Sequence, residues 1–200
     1  MLFSFSWLNL LLNIPAVLIA ITVHEFFHAY AALRMGDKTP EYRGRLSLNP
    51  FDHLDPLGTL MLVLFRFGWA KPVPINPYNF KDYKKGTVIV ALAGPFSNFA
   101  LAFITSLIGR LVVPFGLGYL NIFIQFLIFI NIALGIFNLI PIPPLDGSRL
   151  LVLIISPKYE YVLGWLERYG FFIIIFIIAF TPLVELIVEP LTLFFFNLFL

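Results

Sequence analysis

The sequence predicts an all-α polytopic membrane protein of four or five transmembrane helices, with a small extended, β-like segment on the cytoplasmic side. Three observations carry this. Hydrophobic residues make up 60% of the chain and charged residues only 12%, about half the charged share of a soluble domain. Apolar stretches recur at about 9–34, 86–112, 119–140, 162–181 and 183–200, and the first four reach the ~20 residues a spanning helix needs. Between the first two, prolines 72, 74 and 77 disfavour helix and imply an extended path. At 200 residues one domain is expected, with a core over about 9–155 and C-terminal apolar segments over about 162–200.

The first span, about 9–34, lacks the basic leader of a removable signal peptide, so none is expected. A polar, proline-rich stretch follows over 35–56. The apolar run 57–67 is too short to span and reads as a buried strand or a re-entrant segment. Backbone of the kind expected at 68–79 sits at membrane depth only where protein covers it or a cavity adjoins it. The second span opens at Lys84-Lys85-Gly86. Gly94-Pro95 inside it marks a kink or a close helix approach. The third span ends at Pro141-Ile142-Pro143-Pro144, which cannot continue a helix. The fifth segment, with Glu185 and Glu189, spans or lies at the interface.

Nine of the 13 Lys and Arg residues fall between Arg34 and Lys85, Arg66 among them. Arg110 flanks the second turn, and Arg149, Lys158 and Arg168 follow the third span. The positive-inside rule then puts the N-terminus outside and both 35–85 and the end of span three in the cytoplasm. A multi-pass protein of the cell membrane is expected, with a lipid bilayer around it and no nucleic-acid partner.

His24-Glu25-Phe26-Phe27-His28 stands inside the first apolar run. Residues four apart share a helix face, about 6 Å apart along the axis. His24 and His28 can therefore hold one metal ion, with Glu25 beside them as a general base rather than a ligand. Ionisable groups in a span are costly and functional by default. The bland alternative, a polar stripe joining helices, needs only amides. The chain has no Cys, so a third ligand must be His, Asp, Glu or backbone oxygen. Asp146 is one candidate: His28 lies about 9 Å below the cytoplasmic end of its span, and Asp146 reaches the same level at the end of span three. Asp146 reads equally well as the cap of a short helix starting near Ser148. His53 competes as ligand, although a lone loop His is more often just solvated. Asn98 and Asn138 are amides in apolar spans, suited either to interhelical hydrogen bonds or to holding an oxyanion or substrate near the metal.

His24-Glu25-Phe26-Phe27-His28, Ala93-Gly94-Pro95-Phe96-Ser97-Asn98 and Asn138-Leu139-Ile140-Pro141-Ile142-Pro143-Pro144-Leu145-Asp146-Gly147 together resemble the three signatures of the site-2 protease family of intramembrane zinc metalloproteases. The stretches 48–59 and 68–76 also resemble its bacterial and archaeal members. The resemblance covers about 17–155. It implies one Zn2+ per chain held by His24, His28 and Asp146, with Glu25 as catalytic acid/base and Asn138, then Asn98, close to the site. It implies hydrolysis of peptide bonds in or near transmembrane segments of membrane-anchored proteins, such as anti-sigma factors, transcription-factor precursors or leftover signal peptides. Oligomeric state stays open. An inserted PDZ domain, an appended CBS-type domain and a helix ahead of the zinc-bearing span are not expected, so the chain reads as a minimal member. Segments 41–48 and 69–76 are expected to be strand-like and to pair with an unwound substrate by β-addition. Two other classes remain. A metal transporter would repeat ligands along a path and show an inverted repeat. A non-catalytic scaffold would have lost Glu25 or a ligand.

Overall fold

The computed structural model describes residues 7–65, 68–155 and 160–200; the charges expected at Arg66 and Lys158 lie outside them. Helix α1 spans Trp7–Met35, α2 Thr39–Tyr42, α3 Pro56–Phe65, α4 Tyr83–Val112, α5 Gly118–Asn138, α6 Glu160–Phe180 and α7 Glu189–Phe199. Among the described residues three helices are long and apolar enough to cross a membrane: Leu12–Met35 of α1, α4 and α5. These three pack on one another as the centre of the molecule.

The seams between them are made of small residues. Ala16, Ala20, Ala29 and Ala32 of α1 are fully buried, as is Ala102 of α4. A Cβ on Gly109 would meet Ile124 at 3.0 Å, and one on Gly135 would meet Phe99 at 3.0 Å. Lipid tails are as apolar as a leucine, so helices gain by close packing rather than by escaping water. Phe103, Ile104, Leu107 and Ile108 of α4 stay exposed on the opposite face, the surface a bilayer would cover.

The C-terminal segments, expected as a fourth span and a fifth that spans or lies at the interface, are joined at a sharp bend. Arg168–Phe180 and Val184–Phe199 form one pair bent by 77°, so the described residues hold three candidate spans, or up to four if the bent pair counts as one. The break falls at Thr181-Pro182, where proline removes a helical N–H. A π-helical turn, Val184–Val188, leads into α7. The end of α7 is tied back to α4: Ser106 Oγ donates to the Phe199 carbonyl, and Arg110 Nη2 donates to it at 3.2 Å.

Of the two readings of the run 57–67, the strand is not what forms: the run begins as helix α3. Asp55 accepts from the Gly58 N–H at 2.8 Å, and Pro56 opens the first turn, two features that start helices. The strand expected over 41–48 is not there. Pro40 and Thr39 start a helical turn, and the amides of Arg43, Gly44 and Arg45 bond back to Thr39, Glu41 and Pro40. Residues 71–76 run without helix or strand. Among the described residues there is no sheet, and the β pairing is the isolated bridge Leu54–Ala70.

This irregular segment is strapped down at both ends. The Lys71 N–H donates to the His53 carbonyl at 2.9 Å, and Arg45 donates to the Lys71 carbonyl. At the far end Asp37, fully buried, accepts from the Asn76 N–H at 2.7 Å, Asn79 Nδ2 at 2.8 Å, and both the Thr39 N–H at 3.0 Å and its hydroxyl at 2.5 Å. Burial works against the Asp37 charge, but these donors outweigh it and hold the carboxyl below its ordinary range. A depressed carboxyl stabilises the fold above its unfolded pKa and loses that contribution only as pH falls through the folded one. The strap is therefore indifferent to pH near neutrality and loosens in acid. Asp37→Asn places an NH2 group against donors and is expected to cost about 1–3 kcal/mol. Amide exchange at Asn76 and Thr39 should accelerate, and unchanged protection there would show that the strap is held otherwise.

Candidate metal centre

Four-residue spacing on α1 brings the His24 and His28 Nε2 atoms to 3.0 Å. The Asp146 carboxylate arrives from the start of a 3-10 helix, Asp146–Leu153, and its Oδ2 lies 3.1 Å from both Nε2 atoms. These are the three side chains among the described residues grouped closely enough to hold one ion. Asp146 opens the short helix but aims its carboxylate at the imidazoles; the cap position, Leu145, makes no side-chain cap bond. Gly147 is required by contact rather than by turn geometry, since a Cβ there would overlap the Leu139 carbonyl.

The donor chemistry fits zinc. His28 Nδ1 lies 2.7 Å from the Val90 carbonyl, which can only accept, so the proton sits on Nδ1. His24 Nδ1 lies 2.6 Å from Asn98 Oδ1. Both Nε2 lone pairs then point at each other and at a carboxylate oxygen, three acceptors about 3 Å apart that a cation reconciles. Tetrahedral Zn–N and Zn–O bonds place neighbouring ligand atoms about 3.3 Å apart, close to what is seen. The outward Nδ1–H bonds are the arrangement that orients metal-ligating histidines.

The trio borders a cavity of about 530 Å³. Glu25 lines it, as do Asn138, Trp69, Val73 and Arg149. Glu25 Oε2 accepts the Val73 N–H at 3.1 Å, so the strap is pinned in its middle by the carboxylate next to His24. Phe171 of α6 packs edge-on against Trp69, ring centroids 4.8 Å apart, closing one wall. Gly94 of α4 forms the backing: a Cβ there would lie 2.7 Å from His24 Nε2 and overlap His28 Nε2. The close helix approach expected at Gly94-Pro95 is present.

The other expected residues divide. Asn98 is fully buried behind His24. Asn138 lines the cavity and donates Nδ2 to the Leu134 carbonyl at 3.0 Å. His53 is not part of the trio and does not line the cavity. It is fully buried, with Nε2 2.8 Å from the Ser47 carbonyl, and it holds the strap by its backbone. Sequence reasoning missed Asp37, whose partners are scattered along the chain, and Asn131, another amide in an apolar span that carries the same signal as Asn98.

Comparison with known proteins identifies the family. Residues 115–177 match the model of Peptidase family M50. The chain is 39% identical over 182 residues to "Putative zinc metalloprotease YwhC" of Bacillus subtilis (strain 168), covering 87% of this chain and 82% of that one. It is 32% identical over 178 residues to "Putative zinc metalloprotease Rip2" of Mycolicibacterium smegmatis, covering 86% and 68%. It is 30% identical over 153 residues to "Putative zinc metalloprotease MJ0611" of Methanocaldococcus jannaschii, covering 74% and 73%. No solved structure matches the chain. With the extent of the Bacillus match and a trio of the right donors, the chain belongs to peptidase family M50, the site-2-type zinc metalloproteases.

Proposed function

We propose that this protein is an intramembrane protease of the cell membrane, cleaving membrane-anchored substrates within or near their transmembrane segments on the cytoplasmic side, as in regulated intramembrane proteolysis. The observation that carries the reading is the convergence of His24, His28 and Asp146 beside Glu25 in a cavity, on helices long enough to span a bilayer. In this reading His24, His28 and Asp146 hold the ion. Zinc, when bound, polarises a carbonyl and lowers the pKa of water toward 7. Glu25 takes the proton of the attacking water and returns one to the leaving amine. Asn138 helps hold the carbonyl oxygen as it gains charge.

The strap supports an extended substrate but limits how it pairs. Lys71 and Val73 already commit their N–H groups, and Pro72 and Pro74 have none. What 72–74 offers a substrate strand is carbonyl oxygen, so the substrate supplies the donors, which a helix keeps for itself until it unwinds.

The test is zinc content and cleavage of a transmembrane substrate in detergent. The parent protein is expected to hold one zinc and cleave. Asp146→Ala should lose zinc affinity by more than about 100-fold, beyond the cost of losing an outer hydrogen-bond partner, and cleave nothing. A parent that binds zinc, cleaves no membrane substrate and carries metal across vesicles would overturn the protease reading.

A further inference from the structure

A chain of buried amides runs from His24 across all three central helices. Asn98 of α4 and Asn131 of α5 are both fully buried. Asn131 Nδ2 donates to the Leu127 carbonyl at 2.8 Å, and Asn98 Nδ2 donates to the Ala20 carbonyl of α1 at 3.0 Å. Asn98 Nδ2 also donates to Asn131 Oδ1 at 2.8 Å. Carbonyls only accept, so both ends of the chain have a fixed polarity. Leu127 forces Asn131 to turn its NH2 toward its own helix and its oxygen toward Asn98. Ala20 and that oxygen then take the two hydrogens of Asn98. The Asn98 oxygen is left facing His24 Nδ1 at 2.6 Å, which places the ring proton on Nδ1 and the lone pair on Nε2.

We propose that Asn131 is a positioning residue for the zinc site, setting the tautomer and orientation of His24 through Asn98. A flipped Asn98 would turn its oxygen on two acceptors, Ala20 and Asn131, and would offer N–H to His24 Nδ1. His24 would then carry its proton on Nε2, the atom that must face the metal. With Ala20 alone, only one of those two contacts opposes the flip. The buried amides that hold three helices together thus also hold the histidine ready for its ligand, and they do so without touching the ion.

The inference rests on His24 being a zinc ligand, and the experiment separates the two. Zinc dissociation constants are measured by chelator competition on the full-length protein in detergent, with cobalt(II) absorption as a second readout of ligand geometry. Asn131→Leu, which removes both bonds at similar volume, is expected to weaken zinc by about 10- to 100-fold and to alter the cobalt spectrum. Asn131→Asp keeps the acceptor for Asn98 and, as a buried neutral acid, the donor to Leu127; it should stay within about threefold of the parent. Asn121→Leu removes an amide from the same helix about 15 Å away and should leave affinity unchanged. Asn131→Ala serves if the leucine variant does not accumulate. Parent-like affinity and spectrum in Asn131→Leu, or equal losses in the leucine and aspartate variants, would overturn the relay. Parent-like affinity in His24→Ala would instead overturn the ligand assignment beneath it.

Discussion

Glu25→Gln is expected to lower the turnover number by about 10³-fold while leaving zinc content and stability unchanged. The separation follows from what each atom of Glu25 does. Its Oε2 accepts the Val73 N–H at 3.1 Å, a bond that the amide oxygen of Gln can also accept, so the strap stays in place. Glu25 is not among the three converging ligand atoms, so the ion stays as well. What Gln cannot do is take a proton from water near neutral pH. Loss of zinc from the variant would mean that Glu25 is a ligand. Full activity would mean that it is not the base.

Gly94→Ala is expected to cost zinc affinity by 100-fold or more, in the opposite direction to what helix propensity says. In an exposed helix interior the change stabilises by about 1 kcal/mol. Here the added carbon would lie 2.7 Å from His24 Cε1 and Nε2 and overlap His28 Nε2. To make room, the rings turn away or α4 backs off α1, and either movement breaks the bonds that orient them, His24 to Asn98 at 2.6 Å and His28 to Val90 at 2.7 Å. Overpacking of this kind costs about 1–3 kcal/mol. Zinc per chain and the melting temperature in detergent read the two effects, and a stabilised, zinc-replete variant would show that the helices are not in contact at Gly94.

The amino-acid sequence by itself determined the local features. The three central spans follow from long apolar runs, and the facing of His24 and His28 follows from the 3.6-residue period of any helix. Asp146 stood level between ligand and cap from spacing alone, and only its motif, read as a resemblance, favoured the ligand. The tertiary structure decided what depends on packing between distant parts. It turned Asp146 toward the imidazoles, and left His53 outside the trio as a support for the strap. It bent α6 and α7 into one pair, a choice the sequence had left open for the last segment, because a proline break lets a helix turn without saying which way it packs. It joined Asp37 to Asn76 and Asn79, and Asn131 through Asn98 to His24. Buried polar groups must find partners somewhere; the sequence shows that an amide is buried, and only the packed helices show which partner it found.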